Sequence, residues 1–264
     1  MNGAVLLAAG ASGPSPLWYA TRAGGTVSLV LLTATVALGI ATAGRYAPVR
    51  LGRFEVSALH RNLSLLTLAF LGMHIVTAIA DSYAHLTWPT AFVPFVASYR
   101  PLWVGLGAVA LDLLLAVAVT SAVRGRLGLR RWKAVHWLAY ASWPVALFHA
   151  AGTGTDTRLG PQLVLYAGCL LTVVAAVWWR LVRAGTQALR VRRWATAALV
   201  LVPVALVSFL AVGPLRPGWA HRAGGTAQAP APSTAPAVPH QSSTPQQQQH
   251  QHDQEAEHEG DDAE

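Results

Sequence analysis

The chain is poor in charge, in cysteine and, along most of its length, in acid. Only 11% of its 264 residues are charged, where a soluble globular domain carries about a quarter. That excludes an ordinary water-exposed surface. Cys169 is the sole cysteine, so no internal disulfide can form and cysteine usage says nothing of redox compartment; its place in an apolar block suits a packed, inert thiol. Residues 1–213 hold four acids, Glu55, Asp81, Asp112 and Asp156, and the other seven lie between Asp253 and Glu264. No G-x-G-x-x-G follows a strand-like run, so a dinucleotide fold is not expected. GTGTD at 152–156 is a short turn, too weak for a phosphate loop. The first 16 residues contain a short apolar run with no positive charge before it. They make a poor signal peptide and are read as a disordered lead-in.

What fills the chain instead is apolar: 53% of residues are hydrophobic, gathered in blocks of about 20, the length that crosses a bilayer core. Six spans are expected, at about 18–43, 56–80, 101–123, 133–151, 161–182 and 194–213. The fold class expected is an all-α integral membrane bundle of six transmembrane helices, over 17–213. From Pro214 to Glu264 the composition turns to Pro, Gln, Ala, His and acid, which cannot bury enough surface to fold. This segment is expected to be a disordered tail. Its histidines, His221, His240, His250, His252 and His258, belong to that solvated stretch, with weak divalent-metal binding the alternative.

Charge orients the bundle. The net charge of +8 comes from basic residues, 14 of the 19 in the segments 44–61, 124–133 and 180–193. These flank alternate span ends, so they mark membrane topology and give no reason to expect nucleic-acid binding. Because Lys and Arg concentrate in cytoplasmic loops, both termini are expected outside. The longest outer loop, Asp81–Arg100, alternates Trp88, Phe92, Phe95 and Tyr99 with Pro89 and Pro94, as an interfacial segment would; His85 lies in it as a wet, polar residue.

Two of the spans carry histidines at both ends: His60 and His74 on the second, His136 and His149 on the fourth. Ionisable groups inside a membrane are costly and point to function. Spans two and four run parallel, so pairing by depth gives His60 with His136 and His74 with His149. A spacing of 13–14 residues is about 20 Å of helix. That leaves room for two haems stacked through the bilayer, with the four imidazoles as axial iron ligands. Fourteen residues return to nearly the same helix face, but thirteen miss it by roughly 140°. Pro144, between His136 and His149, predicts an irregularity at Ser142–Val145 that re-aims His149.

The HRN…MH pair on one span and the H…H pair two spans later resemble the ferric reductase-like transmembrane domain, over about 18–181. That family includes the membrane part of NADPH oxidases, yeast-type ferric reductases and the haem subunit of a bacterial methionine sulfoxide reductase system. The resemblance implies two haem b groups and electron transfer across the cell membrane. Oxidases and eukaryotic ferric reductases continue into a flavin and NADPH module; nothing here resembles one. The implied partner is therefore a separate flavoprotein or another redox protein, with a ferric complex as a further acceptor class.

Arg61 beside His60, the group Arg130, Arg131 and Lys133 before His136, and Arg100 at the outer side are candidates to pair with anionic haem propionates. As topology signals they need no such role. Asp112, mid-span, is either an acceptor for a ligand histidine or a neutral acid bonded to a nearby hydroxyl. Trp132, Trp137, Trp143 and Phe148 surround the fourth-span histidines as porphyrin packing or as core. Two other functions compete: a metal-ion permease using the histidines and the His-rich tail, which would need several intramembrane acids, and a non-catalytic membrane partner of another protein.

Overall fold

Caps and breakers set the helix limits. Ser15 accepts the Trp18 backbone N–H at 3.0 Å and Pro16 takes the first helical position, a favoured N-terminal pairing. They open α1 (Pro16–Ala43). Glu55, in the first turn of α2 (Arg53–Ala80), accepts the Gly52 N–H at 2.9 Å. The Ser15 hydroxyl also donates to Asp81 at 3.3 Å, tying the start of α1 to the end of α2. Next come a short α3 (Trp88–Phe92) and α4 (Pro101–Ala122), again with proline leading. Beyond lie α5 (Arg124–Leu127), α6 (Leu129–His136), α7 (Leu138–Thr153), a 3₁₀ turn (Thr155–Arg158), α8 (Gly160–Arg183) and α9 (Leu189–Val212). Gly128, at φ +76°, turns the chain between α5 and α6, a conformation glycine adopts without strain.

The computed structural model describes residues 15–43, 52–81, 84–183 and 189–219. Among them there is no strand, and the chain is all-α. Most of the lead-in, residues 44–51 and 184–188 of the loops between spans, and residues 220–264 of the tail expected to be disordered from Pro214 lie outside the described residues. Five helices, α1, α2, α4, α8 and α9, are long and apolar enough to cross a membrane, making this a multi-pass membrane protein. The remaining expected span, the fourth at 133–151, is delivered in two pieces, α6 and α7, which meet at Trp137. That break corrects the expected irregularity at Ser142–Val145. Helix α7 continues through Pro144, and the helix boundary falls seven residues earlier, at Trp137. His136 ends α6 and His149 lies on α7, so the 13-residue phase argument, which assumed one continuous helix, does not apply.

Helix α1 is the hub. Its stripe of Leu29, Leu32, Val36 and Ile40 meets Trp143, Leu147 and Ala151 of α7, Tyr166, Cys169 and Val173 of α8, and Leu206 of α9. The three- and four-residue steps are those of one helix face. Cys169 is buried there, as a packed thiol. Thr33 of α1 accepts the Trp143 indole N–H at 2.9 Å and returns its own hydroxyl to the Leu29 carbonyl at 2.7 Å, so this polar contact within the core has its partners. Helix α2 packs mainly on α1, and α7 mainly on α4, with little direct packing between α2 and α7. The two histidine-bearing segments therefore face one another across a gap.

Candidate metal centres

Four imidazoles meet across that gap in two pairs. The ring centres of His60 and His136 are 6.4 Å apart with planes at 70°, and those of His74 and His149 are 6.4 Å apart at 73°. The pairing by depth expected from sequence is the one observed. Metal–imidazole bonds are about 2.0–2.1 Å. An imidazole nitrogen lies roughly 1.1 Å from its ring centre, so rings on opposite sides of one ion have centres about 6.3 Å apart. Each pair is thus spaced for a single ion with one axial imidazole on either side.

The outer ring nitrogens show how three of the four are aimed. His60 Nδ1 lies 3.1 Å from the Thr35 carbonyl, His74 Nδ1 2.8 Å from the Thr21 carbonyl, and His149 Nδ1 2.8 Å from the Trp103 carbonyl. A carbonyl only accepts, so each Nδ1 carries the proton and donates. Each Nε2 is left with its lone pair for a metal, the arrangement by which second partners fix a ligand's tautomer. Glycines give the rings room. A Cβ at Gly25 would lie 2.9 Å from the His74 ring, one at Gly39 3.3 Å from the His60 ring, and one at Gly107 2.6 Å from the His149 ring.

A repeat is built into α1: Thr21 and Gly25 serve His74, while Thr35 and Gly39, fourteen residues on, serve His60. On α4, Trp103 and Gly107 serve His149, but the positions fourteen further are Val117 and Ser121. Ser121 instead accepts the Trp132 indole N–H at 3.2 Å. His136 stacks on the Trp132 ring at 4.9 Å, and its buried Nδ1 has no hydrogen-bond partner among the described residues.

A cavity of about 290 Å³ surrounds the His74–His149 pair, apolar along Leu71, Leu111 and Leu114 and polar toward Arg22, Asp81 and Gln162. Arg22, whose guanidinium lies 4.1 Å over the Trp18 ring, is a cation at this site that the sequence did not single out. Arg100 is buried and donates through Nη1 to the carbonyls of Gly152 at 3.0 Å and Thr153 at 2.9 Å, closing the C-terminus of the His149 helix. Arg61, Arg130, Arg131 and Lys133 are exposed near the His60–His136 pair. Asp112 is partly exposed on α4, and the three tethered histidines bond to backbone carbonyls, His149 also lying 3.3 Å from the Thr153 hydroxyl. His85 lies in the loop after α2 at φ +48°. Among the described residues no three His, Cys, Asp or Glu side chains gather as a metal cluster; the four histidines stand in twos.

Residues 24–147 match the family described as ferric reductase like transmembrane component. The protein-methionine-sulfoxide reductase heme-binding subunit MsrQ of Ralstonia nicotianae is 28% identical over 171 residues, which are 63% of this chain and 74% of that one. No solved structure matches.

Proposed function

From a ferric reductase-like membrane domain over residues 24–147, we propose that the protein is a two-haem membrane electron conduit, the haem-bearing subunit of an oxidoreductase. The observation that carries the proposal is the pair of equal 6.4 Å ring separations, each matched to one iron between two imidazoles, on helices that leave a gap between them. The similarity to a heme-binding subunit supports the same chemistry. Haem b bound there would supply one-electron redox chemistry, with His60 and His136 holding one iron and His74 and His149 the other.

The remaining work belongs to the chain. His60 and His136 form one ligand pair, and His74 and His149 the other, about 20 Å further along the helices. Thr35, Thr21 and Trp103 hold three imidazoles in the ligating tautomer. Arg22 lines the His74–His149 cavity, and Arg61 and Arg100 are further candidate cations for carboxylates of a bound macrocycle, with Arg100 already engaged to α7. The apolar walls exclude water, lowering the dielectric around each site. The redox partners are separate molecules, with a flavoprotein the leading class on one side of the membrane. The basic loops support an orientation with both termini outside the cytoplasm.

The test is conduction. Protein in vesicles loaded with ferricyanide should reduce the trapped ferricyanide when dithionite is added outside. Protein-free vesicles, and vesicles holding His74→Ala, should not. Equal reduction in all three overturns the proposal.

A further inference from the structure

Beyond its last span the chain turns back toward the His149 site. Helix α9 ends with the Gly213 N–H on the Phe209 carbonyl at 2.8 Å, and the Leu215 N–H reaches the Leu210 carbonyl at 3.0 Å. Pro214 is fully buried. A turn through Gly218, at φ +74°, delivers Trp219 against α4. There the Trp219 ring lies 5.7 Å from that of Trp103 and 5.9 Å from that of Phe209. Phe209 is itself 4.7 Å from Trp103 and 5.7 Å from Phe148, the neighbour of His149. On another side of Trp103 stands Gly152 of α7, where an added Cβ would clash with the indole. Trp103 is thus gripped by three elements, and its main-chain carbonyl is the acceptor that aims His149.

We infer that the segment Gly213–Trp219 is a positioning device for His149, acting through Trp103. It rests on the two-haem proposal and adds a role for a stretch outside the family match. Large aromatic rings in mutual contact fix one another by area and by edge and face preferences. Trp103 occupies the first turn of α4, the end of a helix most prone to fray. Wedging its side chain keeps the carbonyl of that turn at one distance from His149. Without the wedge the imidazole keeps its place in the sequence and loses its aim.

The test uses the full chain with Trp219→Ala, Trp219→Phe, Gly152→Ala and, as a control, Trp194→Ala, whose indole is 77% exposed. The low-spin electron paramagnetic resonance signal of a haem depends on the angle between its two imidazole planes. The signal of the His74–His149 haem is identified by its absence in His74→Ala. In Trp219→Ala that signal should shift while the other stays, and apomyoglobin should extract that haem about 10-fold faster, the lower range for a lost second partner. Trp219→Phe should stay near wild type, since ring bulk makes the wedge. Gly152→Ala, which displaces Trp103 from its other contact, should reproduce the single-site shift and decides the matter if Trp219→Ala does not fold. Two unchanged signals, or equal change in both, overturn the inference. A wild-type chain with no haem signal overturns the functional proposal itself, which is a different result.

Discussion

Gly107 and His149 face each other so closely that a single added carbon at the glycine would lie 2.6 Å from the imidazole. The same relation holds, less tightly, between Gly25 and His74 at 2.9 Å and between Gly39 and His60 at 3.3 Å. These distances set a graded series. Gly107→Ala should remove most of one haem, Gly25→Ala should weaken the same site less, and Gly39→Ala should be the mildest, because 3.3 Å needs only a small shift of the ring. Haem content of the purified variants, normalised to protein, checks the order. An order reversed, with Gly39→Ala the most damaging, would remove the steric account.

His136 and His149 differ in how they are held. His149 donates to a carbonyl at 2.8 Å, while His136 stacks on Trp132 and its Nδ1 bonds to no described residue. Second partners of ligand histidines are typically worth ~10–100-fold in affinity. The His60–His136 haem should therefore leave first, at least about 10-fold faster, when apomyoglobin is added to detergent-solubilised protein. Spectra of the haem that remains, compared with those of His60→Ala and His74→Ala, identify which one left.

Arg100 directly precedes α4 and binds two carbonyls at the C-terminus of α7. Removing it leaves those acceptors without their charged donor, at a cost of about 2–3 kcal/mol for a buried charge-assisted contact. Arg100→Ala should lower the thermal midpoint in detergent by several degrees, and Arg100→Lys by less. Loss of one haem with an unchanged midpoint would show instead that Arg100 serves the macrocycle directly.

Much of the site is legible in the sequence. The histidines announce themselves because intramembrane ionisable groups are rare, and parallel spans two and four leave one pairing by depth. The seats of those histidines are harder to read, although Gly25 and Gly39 stand fourteen apart, as His60 and His74 do. Glycine is common in membrane helices, so its spacing carries meaning only once the partner helix is known. The carbonyls of Thr21, Thr35 and Trp103 leave no trace in sequence, since every residue has one. The break at Trp137 is also hidden, because Pro144 is the residue expected to cause one. Proline loses one backbone bond, and α7 tolerates that loss, while the helix boundary falls where His136 ends the short helix.

The central claim is one iron between each pair of imidazoles, and the direct measurement is the haem count per chain by pyridine haemochrome assay. The wild-type chain should give about two haems b. His149→Ala and His136→Ala should each give about one, and the double variant none. A wild-type count of zero, or counts unchanged in the single variants, would contradict it.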